Sequence, residues 1–97
     1  MNETHSHVIL SGHIIVPDKD LGIVLAALPT HIELSLSEPG CLVFEVTQRP
    51  DNPTVFDVYE EFVDRSAFDN HQRRVRNSHW GRVTMDVERH YAIDQID

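Results

Sequence analysis

Two residues in the second half of the chain have the types and setting for acid–base chemistry. Glu60 lies in an apolar segment where it shares an alternating register with Phe56, Val58 and Phe62. A carboxylate on the apolar face of a strand must find a partner or take up a proton, because a lone buried charge is costly. His71 stands three residues after Phe68 and four before Val75, a spacing that puts all three on one side of a helix. A hydrogen-bonded Glu60–His71 pair would orient the imidazole and raise its basicity, which suits a general base near neutral pH. The same pair also serves as a structural tie between helix and sheet.

Four further positions are candidates for binding a substrate. Gly12 interrupts the apolar face of the first strand, leaving room for a ligand or for close approach of a helix. Trp80 offers a broad apolar face and one donor to a flat aromatic ligand, or simply fills the core. Tyr59 and, beside it as a further donor, Tyr91 can each hydrogen-bond a substrate oxygen. Arg89 shares a face with Tyr91 and can bind an anion or pair with Glu60. The seven histidines do not follow metal-ligand spacing: there is no His-Glu-x-x-His, and His5 and His7 alternate near the start. No metal is expected. Glycine-rich phosphate loops and the dinucleotide fingerprint are absent, so no bound NAD or FAD of that type is expected either. The one cysteine, Cys41, sits in an apolar run and reads as a small packing residue.

The elements that must position these groups follow from hydrophobic period and turn chemistry. His7 to Val16 reads as a strand with Val8, Leu10, Ile14 and Val16 on one face. After Pro17-Asp18 a helix runs to about Ser37, with an apolar stripe of Leu21, Val24, Leu25, Leu28, Ile32 and Leu36, kinked at Pro29. Glu38-Pro39-Gly40 ends it. Cys41 to Gln48, with Leu42, Phe44 and Val46 on one face, and Thr54 to Phe62 form a hairpin across Arg49-Pro50-Asp51-Asn52-Pro53. Asp64 caps a second helix, Ser78 to Arg82 forms a further short helical turn, and Thr84 to Ile93 is the last strand, with Met85, Val87 and Tyr91 on one face. The acidic residues beyond it read as a frayed tail.

The order β-α-β-β-α-β predicts an α+β, ferredoxin-like fold with an antiparallel four-stranded sheet and both helices on one face. The helix-free face mixes Ile9, Ile15, Val43, Val55 and Tyr59 with polar residues, a character that suits packing on a second copy of the chain. The 97 residues suffice for one domain, 1–97, with its core at about 7–92. A formal net charge of −8 argues against nucleic acid and against an anionic membrane surface as partners. The polar start lacks a signal peptide's pattern and no apolar run is long enough to span a bilayer, so a cytoplasmic protein is expected.

Taken in order, Glu38-Pro39-Gly40-Cys41-Leu42, then Phe56-x-x-Tyr59-Glu60, then Ala67-Phe68-x-x-His71 is similar to the run that marks the antibiotic biosynthesis monooxygenase family. The resemblance extends over about residues 7 to 92. It implies a homodimeric α+β barrel built from two ferredoxin-like subunits. It also implies a cofactor-independent monooxygenase that uses dioxygen on a small aromatic substrate, a quinol or polycyclic dihydroxyaromatic. On that model His71 is the base, Glu60 orients it, and Tyr59, Trp80 or Arg89 supply wall and donor. The family's haem-degrading branch carries an asparagine on the first strand and a tryptophan on the helix after the third. Here those positions hold Gly12 and His71, which argues against haem degradation. A non-oxidative isomerase or cyclase, and a non-catalytic ligand-binding dimer, are the alternatives on the same scaffold.

Overall fold

The computed structural model describes residues 7–96; residues 1–6, which include His5, and residue 97 lie outside the described part. The elements are β1 (His7–Ile15), a 3-10 turn (Asp18–Asp20), α1 (Leu21–Leu36), β2 (Cys41–Gln48), β3 (Val55–Phe62), α2 (Arg65–Arg76), α3 (His79–Val83) and β4 (Glu88–Ile96). The sheet order is β2-β3-β1-β4 and every neighbouring pair is antiparallel. This is the ferredoxin-like α+β arrangement, with an open sheet in the single chain. No helix among the described residues is long and apolar enough to cross a membrane.

Alternation in β1 places Val8, Leu10, Ile14 and Val16 in the core, each 3% exposed or less. Phe56, Val58 and Phe62 of β3 join them, and Phe68, Trp80 and Val87 close the layer from the helical side. Two side-chain caps fix where the helices start. The Asp64 carboxylate accepts from the Ala67 amide at 2.8 Å, and the Ser78 hydroxyl accepts from the Gly81 amide at 3.1 Å. Gly81 has no room for a side chain, since a Cβ there would lie 2.2 Å from the Val75 carbonyl oxygen. That close approach holds α3 against the end of α2.

Three details depart from the pattern read in the sequence. First, α1 buries Val24, Ala27, His31 and Ser35, while Leu25 and Leu36 are 38% and 52% exposed. The helix is apolar over most of its circumference, so apolar spacing alone does not set which side faces inward. Small and polar side chains form its contact side and let it approach β2 and α3 closely. The helix runs on through Pro29. Second, a bulge between Cys41 and Val43 turns Leu42 out of the layer, where it is 47% exposed. Third, β4 begins at Glu88 rather than Thr84 and extends to Ile96. Thr84 instead closes α3, its hydroxyl donating to the Trp80 carbonyl at 2.6 Å, and Met85 is 76% exposed. Val55, assigned by alternation to the helix-free face, is 5% exposed at the start of β3.

Candidate active site

Between the sheet and the helices lies a cavity of about 190 Å³ whose wall includes Glu60, His71, His31, Trp80, Arg89 and Tyr91. Each arrives by a separate route. Strand alternation turns Glu60 of β3 toward the helices beside Val58 and Phe62. The buried side of α2 carries His71 with Phe68. Trp80 enters from α3, His31 from α1, and Arg89 and Tyr91 from the start of β4.

His71 is 2% exposed and is held from one side by a carboxylate: its Nδ1 lies 2.8 Å from Glu38 Oε1. The other oxygen of Glu38 accepts from Arg74 Nε, and Arg74 Nη2 donates to Ser35 Oγ at 3.0 Å. A carboxylate engaged with a guanidinium can only accept, so Nδ1 of His71 carries the proton and donates. In the neutral ring Nε2 then presents a lone pair. That nitrogen faces Glu60, with 3.6 Å to Oε1, longer than a hydrogen bond. The rings of Phe62 and Phe44 stand 5.0 Å and 5.4 Å from the imidazole, centroid to centroid, and keep it dry.

These surroundings set the protonation states. Burial pushes the His71 imidazole below the ordinary histidine range and Arg74 adds to this, while Glu38 pulls the other way. Glu60, 6% exposed and with Oε1 lacking any hydrogen-bond partner among the described residues, is pushed up to about 8. Burial is the main cause and the like charge of Glu38 adds to it. At neutral pH the pair is therefore a neutral carboxylic acid facing a neutral imidazole. Tyr91, 38% exposed, has a phenol raised to about 12, chiefly by desolvation and then by Glu60.

The sequence reading has Glu60 orienting the histidine; in the structure the bonded carboxylate is Glu38, which the sequence offered only as part of the helix-ending Glu-Pro-Gly turn. That turn brings Glu38 back over α2, a juxtaposition of residues 33 apart that no spacing rule displays. His31 is the other residue the sequence did not single out. Its ring stacks on Trp80 at 4.4 Å with 4° between planes, and its buried Nδ1 has no hydrogen-bond partner among the described residues. Burial, with His71 and Arg74 nearby, lowers its pKa to about 3. The one available signal was its place four residues before Ser35 and four after Ala27, on the side of α1 that packs inward.

Two candidates fall elsewhere. Tyr59 is on the helix-free face of the sheet, where its hydroxyl donates to Glu61 at 2.7 Å. Gly12 does not leave a ligand space or meet a helix: a Cβ there would lie 1.9 Å from the His90 carbonyl oxygen, so the glycine accommodates the backbone of β4. Its φ of +150° is one that side-chain-bearing residues rarely adopt. Trp80 and Arg89 do line the cavity. Cys41 is a free thiol packed against the core, its pKa raised by burial and then by the charges of Glu38 and Glu60, so it is not a ready nucleophile. Among the described residues no three His, Cys, Asp or Glu side chains are grouped to hold a metal ion.

An open four-stranded antiparallel sheet in β-α-β-β-α-β order, with buried Glu60 and His71 beneath its helices, defines the class as ferredoxin-like α+β. A sequence model of the antibiotic biosynthesis monooxygenase family matches residues 8–81, and the chain belongs to that family. Among solved structures, it is similar to a candidate antibiotic biosynthesis monooxygenase from Bacteroides thetaiotaomicron, with 26% identity, TM-score 0.73, and 96% of this chain and 87% of that one covered. A candidate of the same description from Nitrosomonas europaea shares 21% identity at TM-score 0.70, over 98% and 91% of the two chains. A conserved protein from Bacteroides thetaiotaomicron described as a possible oxidoreductase shares 16% identity at TM-score 0.72, over 96% and 98%. Nothing among curated proteins matches.

Proposed function

We propose that the chain is a cofactor-independent monooxygenase that oxidises a quinol-like or polycyclic dihydroxyaromatic with dioxygen. The observation that carries this reading is the buried His71 imidazole whose Nδ1 is bonded to Glu38 and whose Nε2 faces a cavity walled in part by Phe44 and Trp80. Nε2 takes a phenolic proton from the substrate. The resulting anion is electron-rich and gives one electron to dioxygen, forming an aryloxyl radical and superoxide. Their coupling makes a carbon–oxygen bond at a ring carbon bearing hydrogen. After protonation, that hydroperoxide loses water, leaving one oxygen atom as a carbonyl and the other in the water. The protein's part is to supply the base, exclude bulk water and stabilise the oxyanion. Glu60 in its acid form, and the phenol of Tyr91, are donors for that oxyanion. Trp80 and Phe44 are walls.

The test is oxygen uptake with a panel of quinols and anthrones, run on the protein and on His71→Ala, with melting temperature measured beside it. Turnover that depends on His71 in a folded variant supports the reading. Full activity in folded His71→Ala removes the histidine from the mechanism. Acid–base isomerisation on the same site consumes no dioxygen, so the oxygen electrode separates the two chemistries.

A homodimer is part of the same proposal. Ile9, Ile15 and Val43 are only half-buried on the helix-free face, and Ile96 of the edge strand β4, opposite His7 on that face, is 52% exposed. Covering such surface is favourable by roughly 25 cal/mol per Å². Val43→Glu should weaken association in sedimentation at micromolar concentration; a wild-type mass of one chain there would contradict dimerisation.

A further inference from the structure

The cavity holding Glu60 and His71 abuts an outer depression of about 610 Å³, and the two share Gln72, Val75 and Arg89 in their walls. The outer wall adds Arg76 from the end of α2 and Arg82 from α3. This is an unusual place to find three guanidinium groups. The chain has eight Lys and Arg residues against sixteen Asp and Glu, for a net charge of −8. Arg49, Arg65, Arg74 and Lys19 each have a carboxylate within ion-pair distance. Among the described residues none lies within that distance of Arg73, Arg76, Arg82 or Arg89; Arg73 donates to Asn70 Oδ1 at 2.7 Å and does not line the depression, and the other three do. The Arg89 guanidinium instead donates through Nη2 to the Thr84 carbonyl and hydroxyl, at 3.1 Å and 3.2 Å, and through Nη1 to the Val87 carbonyl at 3.4 Å, which fixes it at the mouth of the cavity. Three arginines left without carboxylates in an acidic protein, around one depression that leads to a buried acid–base cluster, match the chemistry of an anion held at the threshold.

We propose that the substrate is an aromatic ring bearing an anionic group, with the ring in the inner cavity and the anion seated among Arg76, Arg82 and Arg89. This rests on the inner cavity being the substrate chamber. It narrows the substrate to aromatic acids or aryl phosphates, both of which match a planar guanidinium fork. The arrangement also gives the site a direction. The anion stays outside, where water and arginine solvate it, and only the neutral, oxidisable part of the ring passes inward.

A matched pair of ligands tests this by titration calorimetry: 2,5-dihydroxybenzoate and hydroquinone, which differ by one carboxylate, with phenyl phosphate against phenol as the second pair. The expected result is about ten-fold tighter binding of the anionic member in at least one pair, equivalent to ~1.4 kcal/mol, and a preference that shrinks as salt is raised. Which pair shows the larger ratio identifies carboxylate or phosphate as the better head group. In Arg76→Gln/Arg82→Gln the ratio should fall toward one, whereas Arg65→Gln, at the far end of α2, should leave it unchanged. Both substituted side chains are exposed, and a far-ultraviolet spectrum checks the fold. Equal affinity within both pairs, a preference that survives the double substitution, or no binding of any member overturns the inference. Oxygen uptake measured alongside separates it from the oxygenase reading. Arginine-dependent preference without oxygen consumption would remove the oxygenase and keep the anion site. Oxidation of a neutral quinol with no anionic preference would do the reverse.

Discussion

Glu60 and Glu61 are neighbours on one strand and live in different worlds. Glu61 points to the helix-free face, where it accepts from the Tyr59 hydroxyl at 2.7 Å and has His7 Nδ1 at 3.9 Å. Arg49 and Asp57 pair on the same face with a contact of 2.8 Å. Glu60 points to the helix-covered face, where Oε1 has no hydrogen-bond partner among the described residues and burial lifts its pKa to about 8. Polar groups on one side of the sheet are paired and reached by water. On the other, Glu60 Oε1 and His31 Nδ1 are buried without a hydrogen-bond partner among the described residues, at a cost in stability.

The largest effect expected from breaking this contrast is on turnover. His71→Ala should lower it by roughly 10²–10⁴, the range for losing a positioned general base, while the protein stays folded by circular dichroism. Glu38→Gln should act next, lowering the rate by about ten-fold or more through loss of the charged acceptor at Nδ1. Its signature is a pH–rate profile whose acidic limb moves to lower pH, because the carboxylate that raises the pKa of His71 is gone.

Glu60→Gln sharpens the comparison. Activity in the wild-type protein should rise with pH as His71 becomes neutral, below the ordinary histidine value of 6.5, and fall again as Glu60 ionises near 8. Glutamine cannot ionise, so the alkaline limb should disappear. Stability gives an independent reading. The folded state holds the Glu60 proton to about 8, whereas an unfolded glutamate releases it near 4.5. Folding thus binds a proton in that window, and the stabilising contribution present below pH 4.5 is lost as pH rises through 8. Melting temperature plotted against pH should decline less steeply over this window in Glu60→Gln. His31 works in the opposite direction. Its folded pKa near 3 lies below the ordinary 6.5, so its contribution is present above pH 6.5 and drains away as pH falls toward 3. His31→Gln should flatten the acid limb of the same plot.

The smallest effect is expected on the paired side. Tyr59→Phe removes one partly exposed hydrogen bond and should change stability by no more than about 1 kcal/mol, with turnover unchanged.

The sequence made the fold legible where period and turn chemistry act locally. The alternation in β1 and β3, the Asp64 cap and the Glu38-Pro39-Gly40 stop all correspond to features of the structure. What escaped depends on contacts across the chain. The phase of α1 is set by which side can approach closely enough, and Ala27, His31 and Ser35 allow it where bulkier leucines do not. The bulge at Cys41–Val43 is invisible to strict alternation. Within the site, Glu60, His71, Trp80 and Arg89 were readable because each sits against its local apolar pattern or brings a distinctive side chain. Glu38 hid inside a turn whose local purpose already explained it. Tyr59 was offered as a substrate donor although the same alternation already put it on the helix-free face, opposite to Glu60.

The account depends most on Glu60 being held neutral by burial on the helix-covered face. Carbon-13 labelling of the glutamate side chains, with NMR titration of the Glu60 carboxyl identified by its loss in Glu60→Gln, measures this directly and needs no substrate. A midpoint near 8 is the expected result. A midpoint at the ordinary glutamate value of 4.5 would mean that the carboxylate is charged and compensated at neutral pH, and would contradict the acid–imidazole arrangement on which the proposed chemistry rests.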